Sequence, residues 1–359
     1  MQICCTKRLL DELGDAPEAV KEEEDFFCWS ANLIIVNRRK TVVVTNDSNR
    51  FGFVLHGLKS KDFANLKQLI IQGIITSLKD RNIKEEVINR YLDAGGEPSI
   101  TKTRGRGYAS RLSKACQMVE FFYDKFDPMI VYQSKVSEVI NNDYVKIGDL
   151  DYGHPKDLLE MDFRKFAGDQ LISCKAAVLI IKLDLGMYTA WRRLVTPVNI
   201  DFKKLHNIIQ TLFNWRDCHL HDFNVFDDTG KCVINVISKN EEIFEPREDC
   251  RMVMEEEAVL SDYIDKNYKI IYCYDFGDNW VHEIIIESIV HDYDKNYPSC
   301  LAGEGNAPPE DVGGIPGYEE FVRVMSNPED PEYKETQQWA DSKWYKDFDI
   351  NMINRSLKR

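Results

Sequence analysis

Residues 269–288, KIIYCYDFGDNWVHEIIIES, constrain the fold of this chain more than any other stretch. Two runs rich in β-branched and aromatic residues flank a turn of Asp, Gly, Asp and Asn, the composition of a β-hairpin. Alternation puts Trp280, His282, Ile284 and Ile286 on one face of the second run and Val281, Glu283, Ile285 and Glu287 on the other. His282 therefore shares its side with large apolar groups and is expected to be covered.

Around this hairpin the second half reads as alternating strands and helices. AAVLIIKLDL at 176–185 is strand-like, and RRLVTPV after Trp191 reads as its partner. Phe202, Leu205, Ile208, Ile209, Leu212 and Phe213 form the apolar stripe of a helix with Asp201 as N-cap, ending at Asn214-Trp215. HLHDFNVF then alternates as a strand, with His219, His221, Phe223 and Val225 on one face. The Pro- and Gly-rich stretch YPSCLAGEGNAPPEDVGGIPGYEEF excludes regular structure until a helix begins near Gly317, and further helices are expected near 332–340 and 350–357.

The first half carries a different signature. ANLIIVNRRKTVVVTNDSNRFGFVLHG spaces three short strands as an antiparallel meander. Phe63, Leu66, Ile70, Ile74 and Leu78 then mark an amphipathic helix, a shorter one stops at Gly95-Gly96, and another runs near 109–126. Both halves are thus α+β, each with a mostly antiparallel sheet packed by helices. The polar stretch 141–172 reads as a linker between a domain at 1–140 and one at 173–359.

Charge divides the chain at the same place. The total is 46 Lys and Arg against 60 Asp and Glu, net -14, but residues 1–170 hold 25 against 26 and residues 171–359 hold 21 against 34. Bulk attraction to nucleic acid or an anionic membrane is excluded for the second half. In the first, TKTRGRGYASRLSK places Lys102, Arg104, Arg106, Arg111 and Lys114 together without an acid, a set able to contact phosphate, so nucleic acid is a possible partner through 102–114 alone. GYASRLSKACQ is near the GYARVS-type start of serine resolvases, but one extra residue separates Tyr108 from Arg111, and Ser113 is not assigned as a nucleophile. The first residues lack the apolar core of a signal peptide and no window suits a membrane span, so a cytoplasmic protein is expected. Ten scattered cysteines without a C-x-x-C are expected to be reduced thiols.

The blocks IKLDLGMYTAWRRLVTPVNIDFKKLHNIIQTLFNWRDCHLHDF, YCYDFGDNWVHEIIIE, CLAGEGNAPPEDVGGIPGYEEF and the late NPEDPEY run, in that order, resemble the plasmid pRiA4b ORF-3-like family over about residues 175–359. That resemblance implies an α+β fold, an association with plasmids or insertion elements, and no established activity. Where many relatives read A-C-P-P-E-D, this chain has Asn306-Ala307-Pro308-Pro309, with Cys300 several residues earlier. The first half, through ICCTK and WSANLII, is similar to a small bacterial domain of unknown function.

Candidate chemistry concentrates in the same blocks: His206, His219, His221, Asp275, Asp278, His282, Glu310 and Asp311. His219 and His221 on one strand face, with His282 and a carboxylate such as Asp275 or Asp278, are able to hold a divalent metal and an activated water. The plainer account makes the histidines covered, hydrogen-bonded residues and assigns Asp275, Asp278 and Asp311 to turns and helix starts. Thiol roles for Cys218 or Cys300 and ligand platforms at Trp215 or Trp280 rank below both. The corresponding functions are an accessory protein that binds a protein partner without cofactor or turnover, and a metal-dependent hydrolase or nuclease.

Overall fold

Strand-forming runs in the first half become a five-stranded sheet covered on both faces. In the computed structural model, which describes residues 1–14, 16–147, 151–238, 250–264 and 268–358, contacts divide the chain into units Met1–Ser173 and Cys174–Arg359. The first unit contains β1 (Gln2–Cys5), α1 (Lys7–Leu13), β2 (Cys28–Val36), β3 (Arg39–Asn46), β4 (Gly52–Leu58), α2 (Ser60–Phe63), α3 (Leu66–Asp80), α4 (Glu85–Gly95), β5 (Ser99–Lys102), α5 (Arg106–Phe121), α6 (Ser134–Asn141), β6 (Val145–Ile147), β7 (Asp151–Gly153) and α7 (Pro155–Ala167). The sheet order is β4-β3-β2-β1-β5. Ile70, Ile74 and Leu78 of α3 and Tyr91 of α4 pack with Trp29, Leu33 and Phe53 on one face, while Leu112, Val119 and Ile140 meet Ile34, Val43 and Val54 on the other.

Two expectations for this unit need correction. The meander β2-β3-β4 is antiparallel, but β1 pairs in parallel with both β2 and β5, so the sheet is half parallel. All four residues of β1 are buried, the pattern of a parallel strand covered on both faces, and four residues are too few to register as a period. The stretch 141–172 is no linker. It holds the β6-β7 hairpin and α7, where Pro155 opens the helix and Leu159 and Phe163 reach the core. Phe163 contacts the rings of Phe26 and Tyr91, each at a centroid distance of 5.0 Å.

The second unit is built on an eight-stranded sheet, with β8 (Cys174–Leu185), β9 (Tyr188–Pro197), α8 (Phe202–Phe213), β10 (His221–Phe226), β11 (Cys232–Ile237), β12 (Arg251–Met254), β13 (Lys269–Tyr274), β14 (Trp280–Tyr293), β15 (Ser299–Glu304), α9 (Gly314–Met325), α10 (Tyr333–Ser342) and α11 (Ile350–Leu357). Its order is β12-β11-β10-β13-β14-β8-β9-β15, antiparallel throughout except for β11-β12; β15 lies in the Pro- and Gly-rich stretch expected to hold no regular structure, where pairing with β9 makes SCLAGE a strand ahead of the prolines. The central hairpin closes with Tyr274 opposite Trp280. Asp201 caps α8 by accepting the Lys204 amide at 2.8 Å, and Asn214, at φ 58°, ends it in the left-handed conformation. Cys232 and Cys250 form a disulfide, against the expectation of reduced thiols throughout; the other eight cysteines are free and six of them are buried. It joins the start of β11 to the residue before β12, across the one parallel pair of this sheet.

One buried cation ties these elements together. Arg192 of β9 is 2% exposed and has no carboxylate partner among the described residues. Its Nε donates to Leu212 O at 3.0 Å, and Nη1 donates to Trp191 O at 2.8 Å and Glu304 O at 2.9 Å. The guanidinium lies between the rings of Phe213 and Phe348, at 4.9 and 4.0 Å from their centroids. Burial lowers its pKa to about 10, so it stays charged at neutral pH. Arg192→Met leaves one buried and two half-buried carbonyls without this donor and is expected to cost about 3 kcal/mol. Arg192→Lys is expected to recover little of that, because an ammonium lacks the planar fork. Urea unfolding of both variants tests this; an unchanged midpoint in Arg192→Met rejects the role.

Candidate functional site

Three loops of the second unit meet at the end of its central hairpin: residues 214–220 between α8 and β10, the turn 275–279, and residues 307–313 before α9. Tyr274, the last residue of β13, joins two of them. Its hydroxyl donates to Glu310 Oε1 at 3.0 Å and accepts the Cys218 amide at 2.9 Å. Trp215 Nε1 donates to Pro308 O and the Arg216 amide to Glu310 Oε1, both at 2.9 Å. The turn is attached on both sides: the Asp275 amide donates to Leu220 O at 2.9 Å, and Asp278 Oδ2 accepts the Gly313 amide at 3.1 Å. Asp278 thus holds the loop that carries Glu310 and Asp311, and among the described residues it belongs to no group of converging donors.

His219 stands at the centre of this junction. Its Nε2 lies 3.1 Å from Asp311 Oδ1, 3.6 Å from Asp275 Oδ2 and 3.7 Å from Glu310 Oε2, shielded from solvent and without hydrogen-bond geometry to any of them. Donors about 2.0–2.2 Å from a single ion stand about 3.0 Å apart at octahedral angles and about 3.4 Å apart at tetrahedral ones. The observed spacings are close to those edges. Asp275 and Asp311 both have left-handed backbones, φ 56° and 60°, conformations that Asp tolerates better than most residues. The Lys343 ammonium, 2.6 Å from Asp311 Oδ2, holds that carboxyl below its ordinary pKa, whereas burial raises that of Glu310.

The expected metal set of His219, His221 and His282 does not converge. Among the described residues, no group of donors able to hold an ion contains two of the three. The reason is topological: β13 lies between β10 and β14, so His221 and His282 are two strands apart, about 10 Å. His219 also precedes β10, and its side chain follows the loop instead of the strand face. His221 Nε2 bonds Glu255 Oε2 at 2.9 Å, and its ring stacks on His206 at a centroid distance of 3.5 Å and 6°. Imidazole lone pairs lie in the ring plane, so two parallel stacked rings do not aim at one ion, although Asp217 Oδ1 is 3.0 Å from His206 Nε2. The other His206 nitrogen, Nδ1, meets Tyr272 Oη at 2.8 Å. His282 is fully buried against Phe213, Trp215 and Tyr272, with Nδ1 donating to Trp280 O at 3.1 Å. That bond fixes the tautomer.

Sequence reasoning missed Tyr274, Lys343, Asp217 and Glu255. The Tyr-x-Tyr alternation of Tyr272 and Tyr274 was the available signal for the first; the others come from distant loops and carry none. In the first unit the basic segment is partly committed. Arg104 pairs with Asp25 at 2.7 Å and with Asp47 at 3.7 Å, and Arg111 donates to Asp47 O at 3.3 Å. Lys102 ends β5, while Arg106 and Lys114 are exposed on α5, as is Ser113.

Comparison with known proteins agrees with this division. Residues 175–356 match the plasmid pRiA4b ORF-3-like protein family, and residues 2–158 match a domain of unknown function, DUF6933. The uncharacterized protein y4hQ of Sinorhizobium fredii is 35% identical over 167 residues, 46% of this chain and 81% of that protein. A crystal structure of a protein of unknown function from Methanosarcina mazei Go1 is 33% identical, covering 49% of this chain and 96% of its own, with a TM-score of 0.42.

The two neutral core histidines set an acid limit on stability. Burial lowers the pKa of His206 to about 2 and that of His282 to about 3, from an ordinary 6.5. Both groups take up a proton on unfolding between those values and 6.5, so their contribution is complete above pH 6.5 and is lost as pH falls toward 3. In His282→Phe, the slope of unfolding free energy against pH between 4 and 6 is expected to fall by about one proton. Urea titrations at a series of pH values measure it, and an unchanged slope rejects the assignment.

Proposed function

The chain belongs, through residues 175–356, to the plasmid pRiA4b ORF-3-like family, and from that premise we propose that its second unit works through a divalent cation held by His219, Asp275 and Asp311, with Glu310 beside them. The carrying observation is that His219 Nε2 lies 3.1 to 3.7 Å from one oxygen of each of three carboxylates, and that ligand atoms of His219, Asp275 and Asp311 all lie within 4.8 Å of one another. Three carboxylates gathered so closely need positive charge among them, and the Lys343 ammonium reaches only the outer oxygen of Asp311, whereas an ion would sit among the oxygens that face His219. Three of the four stretches that carry the family resemblance meet here: HLHDF, YDFGDNW and PPEDVGG.

The donor set favours an ion of the manganese or zinc type over calcium, because imidazole is a poor calcium ligand. Asp311 is about half exposed, so the remaining positions face solvent and admit a water or a substrate oxygen. Lys343 keeps Asp311 ionised, and Tyr274 with the Arg216 amide fixes Glu310, the outer contacts that orient metal ligands. Held there, an ion would supply a bound water of lowered pKa and a Lewis acid for an acyl or phosphoryl oxygen, the chemistry of a hydrolase.

Calorimetric titration of the full chain with manganese is expected to show one equivalent, weakened at least about tenfold in His219→Ala and in Asp311→Asn. His282→Phe, which touches none of the ligands, is expected to bind as the parent does. Folded protein that takes up no manganese rejects the reading. In that event a cytoplasmic accessory protein of a mobile element, acting through a protein partner without turnover, replaces it.

A further inference from the structure

A second set of donors converges in the first unit. Cys4 of β1, Cys28 at the start of β2 and Asp47 just after β3 bring one ligand atom each to within 4.8 Å of one another. All three are buried, with exposures of 0, 0 and 3%. Asp47 Oδ1 accepts the Ser30 hydroxyl at 2.6 Å, but Oδ2 is shut from solvent without a hydrogen-bond donor, and the nearest cation is Arg104 Nη1 at 3.7 Å. An unpartnered buried carboxylate oxygen beside two thiols is costly unless something occupies the space between them.

That occupant is not a disulfide. Gln2 lies opposite Cys28 and Cys4 opposite Ser30, so the two cysteines are two residues out of step on neighbouring parallel strands. A rise of about 6.6 Å combined with a strand spacing of about 4.8 Å separates their Cα atoms by about 8 Å, beyond the roughly 7 Å that a disulfide spans. A tetrahedral ion with sulfur ligands at about 2.3 Å asks instead for sulfurs about 3.8 Å apart and a carboxylate oxygen about 3.5 Å from each. Charge also favours a cation. Two thiolates and a carboxylate carry three negative charges; a divalent ion neutralises two, and the Arg104 guanidinium, shared with Asp25, faces the third.

We propose that Cys4, Cys28 and Asp47 bind a zinc ion that pins β1 and β2 to the turn after β3. Both thiols lose their protons to solvent on binding. The buried Thr101 Oγ1 donates to Cys4 Sγ at 3.6 Å and Gln2 Nε2 donates to Cys28 Sγ at 3.9 Å, so each thiolate would keep a donor beside it. Thiolates make this a soft site, distinct in metal preference from the oxygen-rich one of the second unit.

Cobalt, a spectroscopic substitute for zinc, tests the proposal in the full chain. Titration is expected to produce thiolate-to-cobalt charge-transfer absorption that saturates at one equivalent, is lost in Cys28→Ser, and persists in His219→Ala. Asp47→Asn, which keeps both thiols, is expected to weaken cobalt binding at least about tenfold, so a Cys28→Ser variant that fails to fold does not decide the matter. Absence of charge-transfer absorption at saturating cobalt in the parent protein overturns the site, as does absorption unchanged in both variants.

Discussion

A guanidinium without a carboxylate organises the second unit. Among the described residues Arg192 has only carbonyls and ring faces as partners, so its position is defined by the places where backbone oxygens converge: the end of α8, its own strand and the end of β15. Two of those elements, α8 and β15, lead into loops of the candidate site. The α8 terminus that supplies Leu212 O is followed within a few residues by Trp215, Arg216 and His219, and Glu304 O precedes the loop with Glu310 and Asp311. A neutral side chain of similar volume would pack against the same phenylalanines but give those oxygens no donor.

From this clamp outward, precision is passed by hydrogen bonds to backbone more than by hydrophobic contact. The junction of the three loops uses the Tyr274 hydroxyl, the Trp215 indole and the carboxylates of Glu310 and Asp278, each reaching a main-chain amide or carbonyl in another loop. Loops carry little apolar area, so polar contacts of this kind are what hold them against a rigid sheet. Beside them the core contains imidazoles kept neutral by burial, His282 between aromatic rings and His206 stacked on its partner.

Much of this architecture was legible in the sequence, wherever a signal was local. The hairpin around Gly277, the amphipathic α8 with its Asp201 cap and the β2-β3-β4 meander follow from alternation, helical spacing and turn residues within a single window. Elements defined by distant partners were not. The β1 strand is four residues long and α7 sits in a charged stretch, so their places in the core depend on packing that no local pattern encodes. The site was legible as a set of residues but not as a grouping. His219, Asp275, Glu310 and Asp311 meet, whereas His221 and His282 are separated by β13, a strand whose position between them depends on sheet order. Cys232 and Cys250 likewise lie 18 residues apart and become neighbours only through the pairing of β11 with β12.

The left-handed backbones at Asp275 and Asp311 limit how this site is able to change over generations. A β-branched or bulky replacement at either position meets steric cost before any chemistry is considered, whereas asparagine and glycine fit the same conformation. Asparagine is one base change from aspartate and keeps the turn while removing the charge. A descendant that lost the need for the site would therefore drift first to asparagine at these two positions, with its fold intact and its loops in place. Decay of function and decay of structure are separable here by a single mutational step.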